Sequence, residues 1–121
     1  MSINALLADD SKTMRLILRR ALESVGILSV TEAADGLQAL SHFQQQKFDI
    51  VLTDWNMPNM SGLDVVEQIR SQNKDVPIIM ITTEAERRQV LLAIAAGVTD
   101  YLVKPFTTTT LREKLAKHGC S

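Results

Sequence analysis

The sequence has little of what several protein classes require. It contains one cysteine in 121 residues, so no internal disulfide can form, and a reducing compartment fits. Lys plus Arg number 13 against 14 Asp plus Glu, which excludes the basic excess of a general nucleic-acid or membrane-surface binder. Aromatic residues are only 4%, which argues against a base-stacking surface. No apolar run approaches the roughly 18 residues of a membrane span, and the start lacks the basic region of a secretory signal.

The length indicates one domain over residues 1–121, because domains cluster near this size. A chain this long buries about two-thirds of the surface that it exposes when unfolded. It therefore needs neither a disulfide nor a structural metal to fold. We expect a single cytoplasmic domain with no nucleic-acid or membrane partner.

Short apolar runs alternate with longer amphipathic segments along the whole chain. The runs predict strands at 3–8, 28–33, 48–53, 77–81 and 101–103. The amphipathic segments predict helices at 14–25, 36–46, 63–71, 84–96 and 109–118. Strict alternation favours a doubly wound α/β fold, a five-stranded parallel sheet with helices on both faces. The order 2-1-3-4-5, called flavodoxin-like, is common for such a sheet.

Polar residues follow the predicted strands where each one ends. Asp9 and Asp10 follow the first strand, Asp54 the third, Thr82 the fourth and Lys104 the fifth. The carboxyl ends of these neighbouring strands meet at one edge of the sheet, where ligands bind in such folds. Two carboxylates about 4 Å apart repel by roughly 4 kcal/mol at an effective dielectric near 20. One lysine does not balance three acids, and oxygen-only ligands predict Mg²⁺, Mn²⁺ or Ca²⁺ rather than zinc.

This set of side chains suits phosphoryl transfer. An aspartate can attack phosphorus and become an aspartyl phosphate, with catalysis resting on positioning and charge neutralisation. Asp54, on the central strand, is the best candidate for the nucleophile. Asp9 and Asp10 are candidates to hold a Mg²⁺ ion, Lys104 to pair with the phosphoryl group, and Thr82 to hydrogen-bond it.

Four segments occur in order along the chain: ADDS (8–11), TDWNMPNMSG (53–62), ITTEA (81–85) and YLVKPF (101–106). Together they resemble the receiver domain of bacterial two-component response regulators, and most of all its single-domain chemotaxis members. The resemblance extends over essentially the whole chain.

The resemblance implies a role for each matching residue of the predicted site. Asp54 is the residue phosphorylated by a histidine kinase with Mg²⁺. Asp10 and Asp54 supply carboxylate ligands of the ion, and Asn56 supplies its backbone carbonyl. Asp9 reaches the ion largely through water, and Lys104 is the family's invariant lysine. The chain is therefore expected to catalyse only its own phosphorylation and dephosphorylation, and not to be an enzyme on other substrates.

A conformational switch is also implied by the resemblance. Thr82 matches the switch hydroxyl and Tyr101 the aromatic residue that moves with it, while Asn56 and Glu84 tune phosphoryl turnover. Phosphorylation adds about −1.5 to −2 charges. If Thr82 turns inward to bond the phosphoryl group, space opens for Tyr101, and the surface of helix 4, strand 5 and helix 5 changes. The expected partner is a downstream protein such as a flagellar motor switch component, with a phosphatase as a further candidate.

Three alternatives stay open at this stage. A phosphatase-like enzyme that forms an aspartyl phosphate usually needs a second acid two residues after the nucleophile, where Asn56 stands. A phosphate sink for a shared kinase would use the same site. The chain is also compatible with a receiver excised from a longer regulator. Glu86, Thr83 and the threonines at 107–110 depart from the chemotaxis pattern near the output surface, and so leave the partner open.

Overall fold

Five strands alternate with five helices in the computed structural model, which describes residues 3–119; Cys120 lies outside that range. The strands are β1 (Asn4–Ala8), β2 (Ser29–Ala33), β3 (Ile50–Thr53), β4 (Ile78–Thr82) and β5 (Asp100–Val103). The helices are α1 (Lys12–Ser24), α2 (Gly36–Gln45), α3 (Gly62–Gln72), α4 (Arg87–Ala96) and α5 (Thr108–Lys117). The predicted alternation is confirmed.

The strands form one parallel sheet in the order β2-β1-β3-β4-β5, as predicted. The central strands β3 and β4 are buried along their whole length, which explains why they read as continuous apolar runs. Within residues 3–119, no helix has the length and apolar character needed to cross a membrane.

The core lies on both faces of the sheet because successive side chains of a strand point to opposite sides. Leu7 of β1 packs in one cluster with Leu18 of α1 and Leu111 of α5. Its neighbour Leu6 packs in the other cluster with Val65 of α3. All are buried. The sheet is thereby fixed between two helical layers, and its carboxyl-end edge is held in place.

Helix α4 departs from the sequence-based expectation. It begins at Arg87, and the predicted start at 84 is wrong. Residue Glu84 is instead held in the preceding loop, because its N–H donates to the Thr82 hydroxyl at 3.3 Å and its carbonyl accepts from the Tyr101 hydroxyl. Glu86 then caps the helix in an extended conformation, without a side-chain hydrogen bond. The loop that enters α4 is therefore attached to two of the predicted site residues.

Candidate functional site

The carboxyl-end edge of the sheet brings the predicted residues together. Asp9 directly follows β1, Asp54 follows β3, Thr82 ends β4 and Lys104 follows β5. Because these four strands are neighbours in the sheet, residues far apart in sequence become adjacent. Asp9, Asp54 and Thr82 are buried despite their polarity. Burial of polar groups carries a free-energy cost unless they are paired, so their contacts decide what the site can do.

Lys104 joins the two buried acids. Its Nζ lies 2.8 Å from Asp9 Oδ2 and 3.1 Å from Asp54 Oδ2. Burial by itself would lower the pKa of Lys104, but the hydrogen bonds and charges of Asp9 and Asp54 outweigh it and raise that pKa above its usual value. Lys104 therefore stays an ammonium ion at neutral pH, placed beside the Asp54 carboxylate.

Three carboxylates converge where the sequence predicts a metal site. Oxygen atoms of Asp9, Asp10 and Asp54 all lie within 4.8 Å of one another, and Asp10 is exposed while the other two are buried. With Lys104 as the ammonium bonded to this group, its net charge remains negative. An all-oxygen, negatively charged group that is open to solvent on one side fits a hard divalent cation such as Mg²⁺. The donor set is therefore compatible with the predicted ion.

Asn56 and Glu84, which lie two residues after Asp54 and Thr82 respectively, contact each other. The Asn56 side-chain amide donates to Glu84 Oε1 at 3.0 Å, and Asn56 is exposed. The sequence predicts that both tune turnover, and the structure brings their side chains into direct contact. The predicted turnover role, and that of the Asn56 carbonyl as a metal ligand, stay predictions.

Thr82 and Tyr101 meet only through the backbone of Glu84. The Thr82 hydroxyl accepts from the Glu84 N–H, and the Tyr101 hydroxyl donates to the Glu84 carbonyl. Burial raises the pKa of Tyr101 to about 12, with further contributions from the charges of Glu84 and Asp54. The ring is only partly buried and packs against the core cluster that contains Leu6 and Val65. The resemblance predicts a switch role for both residues but does not indicate that both bind the Glu84 backbone.

The loop after β3 is pressed close against Asp54. A Cβ on Gly62 would lie 1.8 Å from the Asp54 carbonyl oxygen, so no larger residue fits there without displacement. The Gly62 N–H donates to the Trp55 carbonyl at 2.7 Å, which closes the turn. On the outer side, the Asn59 amide donates to Asp35 Oδ2 at 2.8 Å. These contacts hold the segment that carries Asp54.

Sequence reasoning missed Arg15, which donates to the Asp9 carbonyl oxygen at 2.6 Å. On the predicted helix it was one of several arginines. Nothing in the residue pattern distinguishes an arginine that binds a backbone carbonyl from one that faces solvent.

The family model of the response regulator receiver domain matches residues 5–116. The chain belongs to this family. Its receiver domain therefore includes all five strands, apart from the first residue of β1, and nearly all of the last helix.

Curated relatives of this receiver domain include chemotaxis proteins. It is 47% identical over 118 residues to chemotaxis protein CheY-3 of Vibrio cholerae serotype O1, covering 96% of this chain and 91% of the relative. It is 43% identical over 114 residues to chemotaxis protein CheY of Pseudomonas aeruginosa, covering 93% of this chain and 92% of the relative.

Solved structures support the same assignment. The receiver domain matches the chemotaxis response regulator CheY4 of Vibrio cholerae with a TM-score of 0.90 and 38% identity, over 98% of this chain and 99% of the other. It also matches the receiver domain of a Pseudomonas aeruginosa sensor histidine kinase with a TM-score of 0.87 and 32% identity, over 97% of each chain. That second structure contains a magnesium ion coordinated in its active-site cleft.

Proposed function

We propose that this receiver domain is a phosphorylation-controlled switch whose phosphoryl acceptor is Asp54. The observation that carries the proposal is the position of the Asp54 carboxylate, 3.1 Å from the Lys104 ammonium and within 4.8 Å of the Asp9 and Asp10 oxygens. We call Asp9, Asp10 and Asp54 the acid cluster. A carboxylate of this cluster that lies beside the Lys104 ammonium suits attack on a phosphoryl group, because the ammonium and a bound cation would neutralise the phosphoryl charge.

The donor is a phosphohistidine of a histidine kinase. An Asp54 oxygen attacks phosphorus, the P–N bond breaks, and its electron pair stays on the imidazole. Lys104 pairs with one phosphoryl oxygen, and the Thr82 hydroxyl donates to another. Asp9, Asp10, Asp54 and the Asn56 carbonyl would hold Mg²⁺, which supplies positive charge to the phosphoryl oxygens when bound. Attack of water on the phosphorus later restores the Asp54 carboxylate and releases phosphate.

Within the proposal, this catalysis is limited to the chain's own phosphorylation and hydrolysis. Asn56 occupies the position two residues after Asp54, where an aspartyl-phosphate phosphatase usually needs a general acid. Its amide side chain cannot supply a proton in that role. Phosphatase chemistry on other substrates is therefore not expected.

The output is a change of the surface formed by α4, β5 and α5. Side chains of Leu91, Leu92 and Ile94 on α4 are about half exposed, and among the residues of that helix only Ala93 is buried. A helix so loosely attached to the core can shift at low cost in packing energy. The chemotaxis proteins among the relatives support a role in chemotaxis or motility control. A flagellar motor switch component is then the candidate downstream partner, a phosphatase is a further candidate, and the location is cytoplasmic.

The test is incubation with a small phosphodonor and Mg²⁺, followed by intact-mass measurement. We expect one phosphoryl adduct on the natural protein, none on Asp54→Asn, and none when the ion is chelated. Asp75→Asn is a matched control, because that exposed aspartate precedes β4, at the opposite end of the strand from the acid cluster of Asp9, Asp10 and Asp54, and its loss should leave the adduct unchanged. An adduct that persists on Asp54→Asn would overturn the proposal.

A pull-down with the natural protein and Asp54→Asn, each with and without beryllofluoride as a phosphoryl mimic, separates a switch from a phosphate sink. A switch gains a partner only when the natural protein carries the mimic. A sink accepts phosphoryl groups as quickly but gains no partner, which would contradict the output part of the proposal.

A further inference from the structure

Asp9 is engaged by protein groups at all four of its polar atoms. Its N–H donates to the Ala33 carbonyl at 3.1 Å. Its Oδ1 accepts from the Ser11 N–H at 2.9 Å, and its Oδ2 accepts from Lys104 at 2.8 Å. Its carbonyl oxygen accepts from Arg15 Nη1 at 2.6 Å. These contacts fix the position of Asp9 in the acid cluster, and Arg15 binds the backbone carbonyl of Asp9.

Arg15 is itself fixed by an acid on the neighbouring strand. Its Nε donates to Glu32 Oε1 at 2.9 Å while Nη1 binds the Asp9 carbonyl, and its side chain is only 15% exposed. The guanidinium is planar, so two contacts set its orientation. Burial alone would raise the pKa of Glu32, but hydrogen bonds and charges of Arg19 and Arg15 lower it, which keeps the acid ionised.

Asp10 presents the opposite case. Its carboxylate belongs to the acid cluster, it is exposed, and no side chain among residues 3–119 hydrogen-bonds to it. The direction of its carboxylate therefore depends on its backbone. The Asp9 carbonyl oxygen lies in the planar peptide group that leads to the Asp10 Cα. Holding that oxygen fixes the peptide plane and so the point from which the Asp10 side chain extends.

We propose that Arg15, anchored by Glu32, is a positioning residue that aims the Asp10 carboxylate at the metal through the Asp9 carbonyl. The inference rests on the proposed Mg²⁺ site. The predicted change in Mg²⁺ affinity on loss of Arg15 is opposite in sign to the change that charge alone would cause. Removing a cation close to a metal site tightens metal binding by charge alone. Loss of positioning weakens it.

Arg19 is a matched control for Arg15. It lies one turn further along α1 and binds the same acid, with its Nε 2.8 Å from Glu32 Oε2. Its Nη2, however, donates to the Val30 carbonyl at 3.0 Å and not to Asp9. Substitution of either arginine removes one charge and one contact to Glu32. Only substitution of Arg15 releases the Asp9 peptide.

The experiment is a Mg²⁺ titration of the full chain, monitored by fluorescence of Trp55, whose backbone N–H donates to Asp54 Oδ1. Urea unfolding of each variant is measured in parallel. We expect Arg15→Ala to weaken Mg²⁺ binding about tenfold, in the range typical for groups that orient metal ligands. Arg15→Lys, which keeps the charge but not the planar fork, should weaken it similarly. Arg19→Ala should leave the Kd unchanged while losing comparable stability.

The outcomes separate this inference from the proposed function. If the natural protein does not bind Mg²⁺, the proposed metal site is wrong and the inference fails with it. If it binds, but Arg15→Ala and Arg15→Lys bind as tightly or more tightly, only the positioning role is overturned. Equal weakening in the Arg15 and Arg19 variants would likewise overturn it, because a general loss of packing between α1 and β2 would then suffice. If Arg15→Ala does not fold, Arg15→Lys decides the result.

Discussion

Lys104 Nζ donates to Asp54 Oδ2 across 3.1 Å, although the two residues lie 50 positions apart in the sequence. The same ammonium binds Asp9 at 2.8 Å. Both side-chain carboxylates are at most 11% exposed, so their mutual repulsion is poorly screened by solvent. Lys104 thus stabilises the acids in the resting protein and is also placed to receive the charge of a phosphoryl group.

Lys104→Met should therefore affect both stability and chemistry. We expect a loss of about 3 kcal/mol in the free energy of unfolding without Mg²⁺, because two buried carboxylates lose their cation. Added Mg²⁺ should restore more stability in this variant than in the natural protein, and phosphorylation should slow. Urea unfolding with and without the ion and the rate of adduct formation measure these effects.

The control for that variant is Lys114→Met. Lys114 also lies 2.8 Å from a carboxylate, that of Asp100, but at the start of β5 and more exposed. Its loss should cost less stability and leave Mg²⁺ binding unchanged. Equal ion dependence in the two variants would contradict the assignment of Lys104 to the acid cluster.

Replacement of both Asn56 and Glu84 by alanine should slow dephosphorylation severalfold. Their side chains bond each other at 3.0 Å, two residues after Asp54 and Thr82 respectively, and alanines remove both of these polar side chains that would hold an attacking water. The measurement is the decay of the phosphoryl adduct by intact mass after the donor is removed. Glu67→Ala, which removes an exposed acid from α3, is the control. An unchanged decay rate in the double variant would eliminate the proposed turnover role.

Gly62→Ala should destabilise the protein by about 3 kcal/mol, because the new Cβ overlaps the Asp54 carbonyl oxygen and the loop must move. Phosphorylation should slow as well, since the moved peptide carries Asp54, the proposed acceptor. Gly26→Ala separates this steric effect from backbone strain. Gly26 has φ +88° but open space around it, so about 1 kcal/mol of strain is expected there, with no effect on phosphorylation.

Acid stability should depend on Asp100. Burial would raise the pKa of Asp100, but hydrogen bonds from Lys114, His118 and the Tyr101 N–H lower it from 3.8 to about 2. A lowered pKa gives stability that is present above the unfolded value and is lost as the pH falls through the folded one. The natural protein should therefore lose up to about 2 kcal/mol more than Asp100→Asn between pH 4 and pH 2. Urea unfolding at several pH values measures this, with the exposed Glu113→Gln as control.

Alkaline stability should depend on Tyr101, with the opposite sign. Burial raises the pKa of Tyr101 from 10.0 to about 12, so the folded protein retains a proton that the unfolded chain has released. The stabilisation is complete below pH 10 and is lost as the pH rises towards 12. Over this range, the free energy of unfolding of Tyr101→Phe should fall less steeply with pH than that of the natural protein. A slope identical to that of the natural protein would show that the phenol does not contribute.

The sequence determined the alternation of strands and helices and the membership of the acid cluster. Alternating apolar and amphipathic segments specify a parallel sheet, and such a sheet necessarily gathers its strand ends at one edge. Asp9, Asp54, Thr82 and Lys104 could therefore be assigned to one site without coordinates. Their proximity follows from these positions together with the strand order, which makes the four strands neighbours.

Only the tertiary structure decided the contacts that involve backbone atoms. Arg15 binds the Asp9 carbonyl, Thr82 and Tyr101 both bind backbone atoms of Glu84, and Gly62 lies against the Asp54 carbonyl. Every residue has a backbone carbonyl, so the sequence contains no sign of which carbonyl is bound or how closely another segment approaches it. The start of α4 was mispredicted because the contacts that hold Glu84 in the preceding loop involve its backbone N–H and carbonyl. The residue pattern specifies which side chains share one face of a helix or strand. Their hydrogen-bond partners depend on how the helices and strands pack against one another.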